Sequence, residues 1–316
     1  MKNLLQFPLR ILGTGSYFPK QVVTNFDLKK YNPTVGSNEW IIKNLGIETR
    51  HKASLKEPSS YLGYQSALAA LTNANMNIDE IDLIITNTSS PDRISPSTAT
   101  IIQEQLSCKR NIPSFDINAV CSGFLYNLDI ASQMLDKYKN ILLISTETYS
   151  KFTDYSHRNS VFFGDGAASV VITKGSTGWY NGSIYSNGLG KEHFTVKMGQ
   201  TFQMNGSEVF RTATKVLPEA INTCLEQNNL TIADIDFFVP HQPSYKILHK
   251  TADEIGLDRS KICTNMQHKA NTAGASIPTV LDHLLKTSNI PNDSKILFAA
   301  VGSGWTWGAG ILNFEK

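Results

Sequence analysis

The stretches "IDEIDLIITNTSS" (78–90) and "IADIDFFVPHQPS" (232–244) follow one plan. Each begins with an acidic and apolar turn, runs into a short apolar strand and ends in small polar residues. Asp82 and Asp236 stand at matching places, an offset of 154 residues. Near the same offset, "SKILFAAVGSG" (294–304) mirrors "KNILLISTETYS" (139–150). "WGAGILNF" (307–314) closes the second half as "GDGAASVVIT" (164–173) closes the first. Strands alternate with helical segments, which predicts an α/β fold built from two duplicated βα halves. The halves are expected over 1–174 and 175–316. The stretch 175–215 resembles neither, and with no low-complexity linker the halves are expected to share a core.

Size and composition agree with this reading. The chain has 316 residues and a formal net charge of +2. At about 150 residues per domain, that is roughly two domain-sized units. The near-balanced charge gives no nucleic-acid footprint. "MKNLLQFPLRILG" is interrupted by Pro8 and Arg10, so it lacks a signal-peptide core. No apolar run approaches the roughly 20 residues of a membrane span. A cytoplasmic protein without a membrane anchor is expected. The four cysteines, Cys108, Cys121, Cys224 and Cys263, show no C-x-x-C pair or Cys/His spacing, which argues against a metal site.

In open α/β sheets, sites form beyond the carboxyl ends of strands. Four polar or small-residue segments fall at such ends. Cys121, in "INAVCSGFLYNLDIASQML" (117–135), precedes a helix whose apolar positions run from Phe124 through Leu128, Ala131, Met134, Leu135 and Tyr138. A thiol at a helix N-terminus feels a positive dipole end, which favours thiolate. A cysteine packed under the sheet reads equally well from this segment alone. His241 follows a buried strand ending in Pro240. Its plain alternative is a histidine satisfied by a turn. Asn271 opens "NTAGASIPTVLDHLL", where a simple N-cap is the plain alternative. Gly302, Ser303 and Gly304 form a turn able to present N–H groups to an anion. "GTG" (13–15) and "GDG" (164–166) do not complete G-x-G-x-x-G, so a dinucleotide site is a poor reading.

Together these fragments resemble the β-ketoacyl-acyl-carrier-protein synthase III family of the thiolase-like condensing superfamily. The resemblance runs nearly end to end. It is carried by "GTGSYFPKQVVTN" (13–25), "EWIIKNLGIETRH" (39–51), "FDINAVCSGFLYNLDIA" (115–131), "FGDGAASVVI" (163–172), "MNGSEVFRTA" (204–213), "VPHQPSYKIL" (239–248), "NTAGASIP" (271–278) and "VGSGWTWGAGIL" (301–312). It implies a five-layer αβαβα thiolase-like fold, a homodimer and a catalytic set of Cys121, His241 and Asn271. The cysteine would take an acyl group from acyl-coenzyme A or, given the departures at Asn44 and Arg158, from an acyl-carrier. Malonyl-carrier protein would then lose carbon dioxide, and its enolate would attack the acyl-cysteine. Coenzyme A enters as the thioester substrate, with no permanently bound cofactor implied. Backbone N–H groups of Cys121 and Gly304 would hold the oxyanion.

Further roles are implied position by position. Trp40 matches an adenine-stacking tryptophan, although a core aromatic on a short helix explains it as well. Arg158 stands one position from a coenzyme A arginine, and Asn44 replaces another. Ser95 replaces a bulky apolar residue that helps to close the acyl pocket across the dimer, so a longer or bulkier starter is expected. Ala270 stands where the family has glycine. Lys246 matches a basic residue that docks the acyl-carrier protein. Lys246 with Lys250, and Arg211 with Lys215, are each four apart on a helix, and a solvated face is their plain alternative. Three competing readings remain: a relative that passes the acyl group to an alcohol or amine without elongation, a papain-like hydrolase, and a non-catalytic partner subunit. The last two lack support, because the papain signature is absent and the nucleophile is present.

Overall fold

The computed structural model describes residues 6–316. The first half contributes β1 (Phe7–Pro8), β2 (Arg10–Tyr17), β3 (Gln21–Thr24), α1 (Asn25–Tyr31), α2 (Asn38–Leu45), β4 (Thr49–Lys52), α3 (Ser59–Asn73), β5 (Leu83–Asn87), α4 (Thr98–Gln105), β6 (Ser114–Ile117), α5 (Gly123–Met134), β7 (Asn140–Glu147) and β8 (Gly166–Thr173). The second contributes β9 (Trp179–Ser186), β10 (Phe194–Thr195), β11 (Gln203–Met204), α6 (Gly206–Gln227), β12 (Phe237–Pro240), α7 (Tyr245–Ile255), α8 (Met266–Lys269), α9 (Ser276–Thr287), β13 (Lys295–Gly302) and β14 (Thr306–Asn313).

Two five-stranded mixed sheets form, ordered β2-β8-β7-β5-β6 and β1-β9-β14-β13-β12. In both, a parallel pair (β5 with β7, β12 with β13) is followed by an antiparallel hairpin partner (β8 and β14). The chain start crosses over: Phe7 and Pro8 pair with Tyr180 and Trp179 in the second sheet.

Strand alternation builds the layers. In β7, Ile141 and Leu143 face one way and Leu142 and Ile144 the other. The first pair packs with Phe124, Leu125 and Leu128 of α5, while the second packs with Ala67, Ala70 and Leu71 of α3. In β13, Ile296 and Phe298 join the α5 side together with Ile277, Val280 and Leu281 of α9. Leu297 and Ala299 face Leu217 and Ile221 of α6. The result is helix, sheet, helix, sheet, helix, with α5 and α9 as the central layer. Sheets covered on both faces need near-continuous apolar strands, which is what the repeats show.

The central layer requires close backbone approach. Gly123, the first residue of α5, lies against the Asn87 side chain at the end of β5, where a Cβ would overlap the amide. Gly123→Ala should therefore destabilise the fold by about 1–3 kcal/mol or more, as overpacked cores do. Urea melts of the two proteins check this, and a change under 0.5 kcal/mol would show that Asn87 is free to move aside.

Candidate active site

Cys121 does not stand on the long helix itself. It occupies a single 3-10 turn, Val120–Ser122, between β6 and α5. Val120 has φ +49°, a left-handed conformation that a β-branched residue adopts only under constraint. The constraint comes from both halves. The Ser122 hydroxyl donates to Ala119 O (2.8 Å) and lies within hydrogen-bond distance of the Thr306 hydroxyl, which can donate to it (2.7 Å). The Asn87 amide donates to Val120 O (3.4 Å). A Cβ on Gly302 would lie 3.0 Å from both Ala119 O and the Cys121 nitrogen. Only glycine lets the end of β13 come this close to the turn.

His241 is the first residue after β12, its N–H donating to Ala299 O (2.8 Å). The ring is almost fully buried, and Nδ1 lies 3.2 Å from Ser276 Oγ, the first residue of α9. A hydroxyl can donate or accept there, so Nε2 can present either a lone pair or an N–H. Asn271 is no helix N-cap. The caps are Thr272 for the turn Ala273–Ala275 and Ala275 for α9. Asn271 is pinned by backbone bonds on both sides: its N–H donates to Phe162 O (3.1 Å) and its carbonyl accepts from Gly164 N–H (3.0 Å). Its Oδ1 accepts from Ala273 N–H (2.8 Å), which turns the amide NH2 into the available donor.

All three side chains line one cavity of about 210 Å³, with Phe163, Phe194 and Met204 among its apolar walls. At its mouth the cavity continues into a wider groove of about 770 Å³, and Trp40, Phe162, Met204 and Gly206 line both. Trp40 is no core aromatic. It is 45% exposed, its ring resting against Gly36, where a Cβ would come within 2.8 Å. Arg158 is exposed on the same groove despite its shifted register. Asn44 is buried at the cavity wall and donates to Trp40 O (2.7 Å), so it supports the tryptophan's helix. Lys246 stands exposed at the mouth. Lys250, Arg211 and Lys215 are exposed on the packed helices α7 and α6 beside it. Arg211 pairs with Glu208, and Lys250 lies over the Phe210 ring.

Gly304 is not part of the cavity wall. Gly302, Ser303 and Trp305 of the turn closed by the Gly302–Thr306 pair line it. Ser95 is exposed on the loop 91–96 and lines neither cavity of the single chain. The expected thiolate is also not favoured. Burial pushes the Cys121 thiol well up, and the nearby Glu147 carboxylate adds to this. The N-terminus of α5, which follows the turn directly, acts the other way on the thiol. Burial likewise lowers His241 to about 3, so its imidazole is neutral at neutral pH. Glu147 was missed in the sequence. Its one signal was a carboxylate closing the apolar run "ILLISTE".

Among the described residues no group of three His, Cys, Asp or Glu is placed to hold a metal, and no helix is long and apolar enough to cross a membrane.

A cysteine, a neutral imidazole and a fixed amide donor in one dry cavity define an acyl-transfer site. Comparison with known proteins narrows the class. The model of 3-oxoacyl-[acyl-carrier-protein] synthase III matches residues 115–188, and that of its C-terminal part matches 225–314. The β-ketoacyl-[acyl-carrier-protein] synthase III of Clostridium acetobutylicum is 39% identical, covering 98% of this chain and 99% of its own. The crystal structure of 3-oxoacyl-[acyl-carrier-protein] synthase III from Aquifex aeolicus superposes with a TM-score of 0.93 at 37% identity, over 97% of this chain and 100% of that one. The priming β-ketosynthase of the R1128 polyketide pathway superposes at 0.91 with 27% identity, covering 100% of this chain and 99% of its own. The chain belongs to the 3-oxoacyl-[acyl-carrier-protein] synthase III family and has the thiolase-like fold.

The backbone beside Asn271 carries strain of its own. Ala270 is fully buried with φ +57° and ψ −158°, a region almost reserved for glycine. Relief of about 1–3 kcal/mol of strain should offset the lost methyl, about 0.8 kcal/mol, and the added chain entropy, about 0.5–1 kcal/mol. Ala270→Gly is therefore expected to cost no stability, and Ala270→Val to cost more than about 2 kcal/mol. Parallel denaturant melts decide this; an Ala270→Gly loss above that of Ala270→Val would exclude strain at this position.

Proposed function

We propose that this enzyme catalyses decarboxylative condensation of an acyl starter with malonyl-acyl-carrier protein, giving a β-ketoacyl-carrier protein and carbon dioxide. The observation that carries this is the convergence of Cys121, His241 and Asn271 on one cavity, reached through the groove lined by Trp40 and Arg158. Acyl-coenzyme A suits that groove. A flat aromatic and an exposed guanidinium fit an adenine and a phosphate, and the narrow channel fits an extended thioester arm.

In the first half-reaction, the Cys121 thiol gives its proton to the neutral His241 imidazole as sulfur attacks the thioester carbonyl. The carbonyl oxygen gains charge facing the backbone N–H groups of Cys121 and of Gly304 in the turn Gly302–Gly304. The carbon–sulfur bond to coenzyme A then breaks, and that thiolate takes the proton. In the second, the malonyl thioester oxygen accepts hydrogen bonds from His241 Nε2–H and the Asn271 amide. The bond to the carboxylate breaks, carbon dioxide leaves and the electron pair becomes an enolate. Two neutral donors in a dry site stabilise that charge better than water does. The enolate carbon attacks the acyl-cysteine carbonyl, the Cys121 carbon–sulfur bond breaks, and the Cys121 thiolate released takes one proton from water to restore the resting enzyme. Two half-reactions at one cysteine give ping-pong kinetics. Passage of the acyl group to an alcohol or amine is not favoured, because the Asn271 donor is fixed in place for enolate stabilisation.

The basic residues Lys246, Lys250, Arg211 and Lys215 beside the mouth fit an acidic carrier protein. The enzyme is proposed to work as a cytoplasmic homodimer, in which Ser95 of the exposed loop 91–96 would meet the partner's acyl pocket.

Intact mass spectrometry tests the first step. One acyl adduct is expected on the wild type incubated with acyl-coenzyme A, and none on Cys121→Ala. An adduct on both would reject Cys121 as the nucleophile. Asn271→Ala should keep the adduct yet lose condensation by about 10²–10³-fold, the usual cost of one such donor; equal loss of both steps would place Asn271 in acyl capture instead. Lys246→Glu with Lys250→Glu should raise KM for malonyl-carrier protein about tenfold, the equivalent of 1.4 kcal/mol, while KM for acyl-coenzyme A stays unchanged. A rise in both would remove these lysines from carrier docking.

A further inference from the structure

The groove outside the cavity has two walls. Ser37 and Trp40 belong to one, and His157, Arg158 and Phe162 to the other. Arg50, on β4, is almost fully buried and bonds to both. Its Nη2 donates to Val161 O (2.9 Å), and Val161 lines the groove at the end of the turn Arg158–Val161. Its Nη1 donates to Asn25 Oδ1 (2.8 Å) and Val23 O (3.4 Å). Asn25, itself buried, passes the contact on. Its amide donates to Asn38 Oδ1 (3.0 Å), on the first residue of α2, and to Ile47 O (2.8 Å), just beyond the end of α2. The helix that carries Trp40 is thus clasped at both ends by one amide, and that amide is held by Arg50. A second buried amide ties the same walls: Asn32 Nδ2 donates to Ser156 O (2.5 Å), while its Oδ1 accepts from the N–H of the groove residue Thr34 (2.9 Å).

Packing alone does not call for this arginine. Val23 and Val161, whose carbonyls it meets, already share an apolar cluster with Val35 and Ile41. Among the described residues no carboxylate pairs with Arg50, so its charge rests on neutral oxygens. Burying a charge costs several kcal/mol before its bonds are counted. Apolar contact is non-directional. A guanidinium is a rigid plane, and its two terminal nitrogens hold their acceptors at a fixed separation.

We infer that Arg50 is a positioning residue for the acyl donor: through Asn25 and Val161 it fixes the spacing of the Trp40 and Arg158 walls before coenzyme A arrives. This rests on the reading of the groove as the coenzyme A site. A preformed groove spares the donor the ordering cost of drawing two loops together. None of the Arg50 hydrogen bonds reaches Cys121, His241 or Asn271, so its effect falls on donor binding and not on the chemical step.

The test times acylation of Cys121 by intact mass. One acyl group is carried either on coenzyme A or on N-acetylcysteamine, which offers the thioester end and no nucleotide. The second-order rate constant is read for each donor, and the rate at saturation for the coenzyme A donor. In the wild type the coenzyme A donor should react about tenfold faster or more by that constant. Arg50→Lys keeps the charge and the stem beside Gly164, but has one nitrogen where two are needed. Its constant for the coenzyme A donor should fall about tenfold, with the rate at saturation held within about twofold and the short donor unaffected. Asn38→Ala keeps Arg50 and removes the far end of the link, and it serves where Arg50→Lys fails to fold. It should lower the coenzyme A constant about threefold, as loss of one neutral hydrogen bond does, again without touching the short donor. A parallel fall for both donors, or no fall in either variant, would overturn the role of Arg50. A wild type that takes both donors equally well would instead strike the reading of the groove, and the inference with it.

Discussion

The site depends on one close approach: the end of β13 against the turn that carries Cys121. Gly302 leaves no room for a side chain between them, and the Ser122–Thr306–Ala119 hydrogen bonds lock the two backbones together. Cys121 belongs to the first half of the chain, whereas Gly302 and Thr306 belong to the second. His241 and Asn271 enter from that second half at the ends of their own elements. Without this contact the two sheets would still cover α5 and α9, but the nucleophile and its partners would not share a cavity.

The electrostatics follow from dryness. Burial opposes charge on every ionisable group of the site: it raises the Cys121 thiol and Glu147 and lowers His241. A neutral imidazole and a neutral amide have little to lose when a substrate displaces water. In the proposed reaction, charge then develops on the His241 ring and on substrate oxygens, where N–H donors can meet it. The exposed Arg158, Lys246, Lys250, Arg211 and Lys215 stand outside, where charge is inexpensive and can meet anionic partners.

The architecture was legible because it repeats. The 154-residue offset between Asp82 and Asp236 marked β5 and β12 as equivalents, and the two closing strands followed. Period-2 alternation could not say which face of β7 meets α3, since both faces are apolar; the packing decides that. At the site, the positions of Cys121, His241 and Asn271 at strand and helix ends were readable. The turn geometry was not. Which residues of "GSG" line the cavity depends on the turn closed by the Gly302–Thr306 pair, where Gly302 and Ser303 do so. The thiolate expectation rested on the helix that follows Cys121 and took no account of burial. Glu147 was hidden because a lone acid at a strand end carries no pattern.

The most direct test is a single turnover. Wild-type enzyme is first acylated and freed of donor, then mixed with malonyl-carrier protein, and both proteins are weighed by mass spectrometry while carbon dioxide is counted. Condensation requires that the enzyme lose its acyl mass, that the carrier gain that acyl group on the carbons left after decarboxylation, and that one carbon dioxide appear for each acyl group lost. Discharge of the acyl-enzyme without carbon dioxide and without the acyl group appearing on the carrier would contradict it.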